Sequence, residues 1–375
     1  MIYLDNAATT QVCPEAAEAA VKYMTEAFGN PSSTHGPGRT ARDALKRARG
    51  VIASSLGAAP EEVFFTSGGS EGDNWAIRAG CHAMRRRGRH IVSSLTEHDA
   101  VLKTLDRMEA DGWAVTRLKP DADGAVSPAA VAGALRPDTV LVSVMLVNNE
   151  TGAVSDIAGI RAALKAAACP ALLHTDAVQG YMKLPYALTS LGADMITLSA
   201  HKLHAPKGVG ALYVRKGLRL PPLILGGGQE GGLRSGTENM PGICAFAAAV
   251  RAAKADAGAI DRMAALRAHA LEGLRNAVPE LVVNGCGAAH ILSVSLPGYK
   301  SEVIMNLLDR DGICVSRGSA CKKGARSHVL AAMGLPPAVI DGTIRVSLSR
   351  FTTEADVDAF IAALAHAHDT LYKAL

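Results

Sequence analysis

Short β-branched runs alternate with alanine-rich stretches as far as residue 214, and this alternation limits the folds open to the chain more than any other feature. Val63–Thr66, His90–Ser93, Ala114–Leu118, Thr139–Val147, Leu172–Thr175, Met195–Ser199 and Ala211–Val214 read as strands. Asp73–Arg86, Pro128–Leu135 and Ile157–Ala168 read as helices between them. Strands separated by helices of this length form βαβ units, which assemble into a mainly parallel sheet with helices on both faces. Val140–Val147 is almost continuously apolar, as a central strand covered on both sides should be.

Past Val214 the pattern breaks into Pro221-Pro222 and the glycine-rich Gly226–Gly232. A long alanine-rich helix follows over about 242–277, interrupted near Gly258, and then strands (Ile291–Leu296, Ile344–Leu348) mix with helices (Glu302–Arg310, Glu354–Ala374). For 375 residues this predicts a large α/β domain over 13–255 and a smaller α+β domain over 256–375, which residues 1–12 join. An apolar content of 49% supports a sizeable core. A net charge of +4 and 4% aromatics give no case for direct nucleic-acid binding. No apolar run is long enough to span a membrane, and the first residues do not resemble a signal peptide. The seven cysteines are scattered, odd in number and without a CxxC, so a reducing cytoplasm is the expected compartment.

Ligands of open α/β sheets bind outside the carboxyl ends of the strands. After Phe65 comes Thr66-Ser-Gly-Gly-Ser70, where glycines and a helix start at Ser70 suit a bound anion, or make an ordinary serine N-cap. Asp176 follows Leu172–Thr175 and needs a partner if buried: a pyridinium nitrogen, a helix cap or a salt bridge. Lys202 follows Met195–Ser199 among helix breakers and suits a Schiff-base amine. His201 and His204 lack a third ligand at sensible spacing, so no metal is expected. The phosphate cradle, aspartate and lysine, in that order, match the protein's share of a pyridoxal phosphate site. His98, after His90–Ser93, is placed to stack on the ring, and Asn148, after Val147, to meet its hydroxyl. Gly226-x-Gly228-x-x-Gly231 formally fits a dinucleotide fingerprint, but Gly232–Thr237 cannot open the required helix.

A chain of motifs makes the match specific. They are Tyr3-Leu-Asp-Asn-Ala-Ala-Thr-Thr10, Gly29-Asn-Pro-Ser-Ser33 with His35 and Arg39, Thr66-Ser-Gly-Gly-Ser-Glu71 and Thr96-Glu-His98. Asn148-Asn-Glu-Thr-Gly152, Asp176-Ala-Val-Gln179, Ser199-Ala-His-Lys202 and Pro206-Lys-Gly208 follow. Gly228-Gln-Glu230, Arg234-Ser-Gly-Thr-Glu-Asn239, Gly318-Ser-Ala-Cys321 and Ile344-Arg-Val-Ser347 complete the set. The sequence resembles the pyridoxal-phosphate-dependent cysteine desulfurases of the NifS/IscS kind, within the class V aminotransferase fold. The resemblance implies the type I fold of pyridoxal-phosphate-dependent transferases: a large domain with a mainly parallel seven-stranded sheet flanked by helices, plus a smaller α+β domain. It implies that Lys202 carries the cofactor, Asp176 meets its ring nitrogen and His98 stacks on the ring. Gln179 and Asn148 would contact the ring oxygen and substrate, while Gly69, Ser70, Ser199 and His201 hold the phosphate. Thr237 would reach in from a second subunit of a homodimer, and Arg345 would clamp the carboxylate of L-cysteine.

The same resemblance makes Cys321 the thiol that takes sulfur from cysteine as a persulfide, with alanine released. The sulfur then goes to an acceptor protein, in iron–sulfur cluster assembly or a thiolation pathway. Arg317, Lys322 and Lys323 nearby would favour the thiolate, whereas Cys81, Cys169, Cys244 and Cys314 read as inert buried thiols. The sequence departs from the family pattern at Ser70 (usually threonine), Leu203 (aromatic), Ala205 (glycine) and Arg317 (small). It departs again over Lys322–Ser327, which replaces small polar residues and a Glu-Pro. A selenocysteine lyase, another β-lyase of this fold and a catalytically silent partner-binding platform are the competing readings.

Overall fold

The computed structural model of the chain describes residues 1–317 and 326–373. In chain order the strands begin with β1 (Ile2–Tyr3), β2 (Val63–Thr66), β3 (His90–Ser94), β4 (Ala114–Leu118), β5 (Thr139–Ser143) and β6 (Leu172–Asp176). They continue with β7 (Met195–Ser199), β8 (Gly210–Val214), β9 (Val282–Val283), β10 (Ile291–Ser295), β11 (Ile313–Cys314) and β12 (Thr343–Ser347). Seven of them form one sheet in the order β2-β8-β7-β6-β5-β3-β4. It is mostly parallel; β8 runs antiparallel to both of its neighbours.

Side chains on successive residues of these strands point to opposite faces. Val92, Val142, Leu173 and Ile196 enter one apolar cluster, and their neighbours Ile91, Leu141, Leu172 and Met195 enter another. A third cluster joins Leu4 to Met263, Leu292, Val294, Ile344, Val346 and Phe360. It packs around β10, which pairs with β9 and β12. The chain's first strand belongs there too: Ile2 and Tyr3 lie beside Ile313 and Cys314 of β11 in parallel register.

Two expected boundaries move most. The strand expected to reach Val147 ends at Ser143, because the carboxyl oxygen of Glu97 accepts the Met145 N–H at 3.1 Å and replaces the ladder on that side. The helix expected from Asp73 spans Gly69–Met84, with Gly68 as its N-cap at φ +155. Glycine makes the abrupt strand-to-helix turn accessible, and Ser70 sits in the first turn rather than capping it. The long helix is interrupted at 256–258, where a break near Gly258 is expected, giving Met240–Ala255 and Ala259–Ala277. No helix among the described residues is long and apolar enough to cross a membrane.

Candidate active site

A cavity of about 410 Å³ lies where β2, β3, β6 and β7 end, within the usual size range of small-molecule sites. Gly69, Ser70, His98, Asp176, Gln179, Ser199, His201, Lys202 and Arg345 all contribute to its wall. Each strand delivers a residue here because a parallel sheet brings the carboxyl ends of its strands to one edge.

Lys202 is half-buried just beyond β7, in a short 3-10 turn, and its Nζ donates to the carbonyls of Ala7 and Ala8, both at 2.6 Å. The N-terminal motif thus holds the amine in place. Gln179 fixes the same segment, donating from Nε2 to Ala7 O at 2.8 Å, while its Oε1 is buried without a partner. Asp176, the last residue of β6, accepts the Val178 N–H at 2.9 Å. Burial raises its pKa, an effect that His98, the Val178 N–H and Lys202 only partly offset. His98 caps helix Asp99–Ala110, its Nδ1 accepting the Ala100 N–H at 3.1 Å. A neutral imidazole in that role carries its proton on Nε2.

At the other end of the cavity, the N-terminus of helix Gly69–Met84 faces Ser199 and His201. A Cβ on Gly69 would meet Val178 Cγ2 at 2.9 Å, so only glycine leaves this cradle open. Burial and the neighbouring Lys202 lower the pKa of His201 to about 4, and its Nδ1 pairs with Thr9 Oγ1. His204 Nδ1 pairs with Gln11 O at 2.8 Å. A neutral imidazole, a hydroxyl and free helix N–H groups suit a phosphate. A buried aspartate suits a pyridinium, and the open Gln179 oxygen suits a ring substituent. The residues present therefore fit pyridoxal phosphate.

Arg345, on β12, is 2% exposed; it donates to Asp5 Oδ1 at 2.7 Å and to Asn149 O at 2.8 Å. These bonds hold its planar guanidinium at the cavity wall. Asn148 differs from expectation. Its side-chain amide donates to Thr96 O and its oxygen accepts from Glu150 N and Thr151 N, so it braces a turn, and Asn149 and Glu150 line the cavity instead. Thr237 is exposed and absent from its own chain's cavity. Gly226–Gly232 forms a loop with one 3-10 turn, and no helix starts before Met240.

Cys321, with Lys322 and Lys323, lies outside the described residues. Arg317 forms an ion pair with Glu302. Cys81 and Cys244 are buried with raised pKa values, as expected of inert thiols. Cys169 and Cys314 are only half-buried.

Asp73 and His328 line the cavity although no sequence signal pointed to them. Asp73 is fully buried, and burial together with the nearby Asp176 raises its pKa well above the carboxylate range. Glu150 accepts the Ser327 hydroxyl at 2.5 Å, and His328 Nε2 bonds Glu97 O at 3.1 Å. These contacts tie the segment after residue 325 to the cavity rim. A helical offset of four from Gly69 was the one available pointer to Asp73.

The aminotransferase class-V family model matches residues 2–360. The chain belongs to this family. It is 46% identical over 363 residues to cysteine desulfurase 2 of Trichormus variabilis, covering 96% of this chain and 90% of that protein. A solved NifS-like protein superposes with a TM-score of 0.93 at 37% identity, covering 99% of this chain and all of the other. SspA in complex with cysteine superposes with a TM-score of 0.81 at 34% identity, covering 94% and 100% of the two chains. Class V members are pyridoxal-phosphate enzymes, in keeping with the donors gathered around Lys202.

Proposed function

We propose that the chain is a pyridoxal-phosphate-dependent cysteine desulfurase that converts L-cysteine to L-alanine and leaves the sulfur as a persulfide on Cys321. The convergence of Lys202, Asp176, His98, Gln179 and Arg345 on one cavity carries this reading. The names of the relatives, and the neighbour solved with cysteine, support the substrate.

The cofactor, when bound, supplies an electron sink for the substrate's α-carbon. Lys202 and Asp176 would anchor it from opposite ends of its ring, with the helix start at Gly69, Ser70, Ser199 and His201 on its phosphate. Arg345 orients the substrate carboxylate as a planar fork. Lys202 Nζ then moves the proton at the α-carbon, steadied by the Ala7 and Ala8 carbonyls. The Cys321 thiolate attacks the substrate sulfur: an S–S bond forms, the C–S bond breaks, and its electron pair goes to the β-carbon. Protonation there completes the methyl group of alanine. The chain acts as a homodimer in a reducing cytoplasm, with Thr237 serving the partner's cavity. The persulfide passes to an acceptor protein, for cluster assembly or thiolation.

Purified protein given L-cysteine and a reductant should release sulfide and alanine in step. Cys321→Ala should abolish sulfide release with the cofactor absorbance at about 400–430 nm intact. Sulfide release at the parent rate by that variant would replace the persulfide step with a β-lyase, and a faster rate on selenocysteine would name that lyase. Failure to develop the absorbance on adding the cofactor would leave only a silent platform.

A further inference from the structure

A second cavity of about 420 Å³ shares only Lys202 with the first. Its walls come from Tyr181–Leu188 beyond β6, from the start of helix Ala259–Ala277, and from Leu348–Arg350 beyond β12. Met182, Leu184, Ile260 and Met263 make much of that wall apolar.

The charges around it are one-sided. Lys183, Lys254 and Arg350 join Lys202 on the cationic side. Among the described residues Asp256 is the sole carboxylate of the wall, and it is already paired with Arg262 at 2.7 Å. His204 adds no charge, because burial lowers its pKa to about 4. Lys183 is 8% exposed, and its Nζ is buried without a hydrogen-bond partner. Arg350 Nε is buried and unpartnered in the same way. Burial, Lys202 and Arg345 bring the Lys183 ammonium down to about 7, and His201, His204 and His290 feel its charge in turn. Isolating an ammonium from water without a counter-ion is expensive, and nothing in the desulfurase reaction as derived above uses this one.

We propose that this cavity is a binding site for a small monoanionic organic acid, with its carboxylate on Lys183 and its apolar body against Met182, Leu184, Ile260 and Met263. A carboxylate supplies the missing acceptor, and an apolar wall around one deeply buried ammonium favours a singly charged ligand over a phosphate dianion. The site does not depend on the desulfurase reading, since it shares no substrate-binding residue with it apart from the wall formed by Lys202.

Calorimetric titration of the cofactor-loaded protein with isovalerate, and with uncharged isovaleramide, tests this. Isovalerate should bind and isovaleramide should not. Lys183→Met should weaken isovalerate binding by at least about tenfold, as loss of a hydrogen-bonded charge pair does. Ile260→Trp, which fills the cavity and leaves Lys183 in place, should weaken it comparably. Lys183→Met should also unfold in urea at a concentration no lower than the parent, because it removes an unpaired buried charge. The proposal falls if isovalerate gives no binding heat, or if either variant binds it like the parent. It falls equally if L-alanine displaces isovalerate, which would put the ion on Arg345, or if Lys183→Met is markedly less stable, which would make the lysine a structural ion-pair partner.

Discussion

Burial moves two ionisable groups, Glu97 and His174, in opposite directions. Glu97 takes hydrogen bonds from Ser94 Oγ at 2.6 Å and Met145 N at 3.1 Å, and burial lifts its pKa from 4.5 to about 8. His174 pairs with Ser143 Oγ and Thr197 Oγ1, and burial lowers its pKa from 6.5 to about 3. The folded chain therefore keeps a proton on Glu97 that the unfolded chain sheds above 4.5. That stabilising contribution is complete below 4.5 and is lost as the pH rises to about 8. For His174 the contribution is complete above 6.5 and is lost as the pH falls to about 3. Between pH 6.5 and 8 Glu97 is the only one of the pair still changing, and its share of the stability loss is about 2 kcal/mol. Urea unfolding at both pH values should show Glu97→Gln free of that loss, while His174→Gln retains it and instead loses the acid-side slope. An unchanged slope in Glu97→Gln would mean that the carboxyl is ionised in the folded chain. The two cavity aspartates invite a parallel test. Asp176, at the end of β6 beside His98 and Lys202, would face a ring nitrogen, and a pyridinium there would oppose the rise that burial gives its pKa. Asp73, pushed up by burial and by Asp176, holds its proton. Asp176→Asn should cut sulfide production by at least about 100-fold and Asp73→Asn by less than about threefold, since an amide mimics only the protonated acid. Equal losses would overturn this division.

At the scale of elements, the glycine-rich segment shows how a loop without regular structure is held. Glu230, 7% exposed, accepts both Arg49 Nη groups at 2.7 and 2.8 Å and the Phe65 N–H of β2 at 2.9 Å. Glu230→Ala strands a mostly buried guanidinium and a buried strand N–H, so it should cost about 3 kcal/mol in denaturant unfolding. Lys103→Ala, which removes an exposed pair with Asp106, should leave the unfolding midpoint nearly unchanged. Similar values for the two would show that the loop is held by something else. The contrast also marks what the sequence could reveal. The seven sheet strands were legible because apolar runs alternate with helices, and Asp176, Lys202 and Gly69 because they stand directly after such runs. The end of β5 was not, since a side chain from another loop, Glu97, stops its ladder. The part played by Asn148 was hidden for the same reason: a carboxamide looks alike whether it faces a ligand or, as here, ties Thr96 to the turn at Glu150 and Thr151. Lys183 gave no pattern at all, because only the folded arrangement shows that no carboxylate reaches it.

At the scale of the whole molecule, one chain gathers nearly every group that the cofactor and substrate require, and leaves Thr237 exposed beyond its own cavity. The proposed homodimer accounts for that, with each Thr237 completing the partner's phosphate site. Mixing two defective chains makes the idea measurable. Lys202→Ala and Thr237→Val should each lower activity alone, the first almost completely. In a mixed dimer, the cavity built on the Thr237→Val chain has its own Lys202 and receives an intact Thr237 from the other chain. The opposite cavity carries both defects. Random reassortment of equal amounts places half the chains in mixed dimers, each with one complete cavity, so about one quarter of the parent activity per chain should return. Were Thr237 to act in its own chain, no cavity in the mixture would be complete, and activity would stay at the average of the two variants. Co-expression from one plasmid with two affinity tags, followed by isolation of the doubly tagged dimer, raises the expected recovery to about half. At that level the two arrangements differ well beyond the residual rate of the Thr237→Val chain.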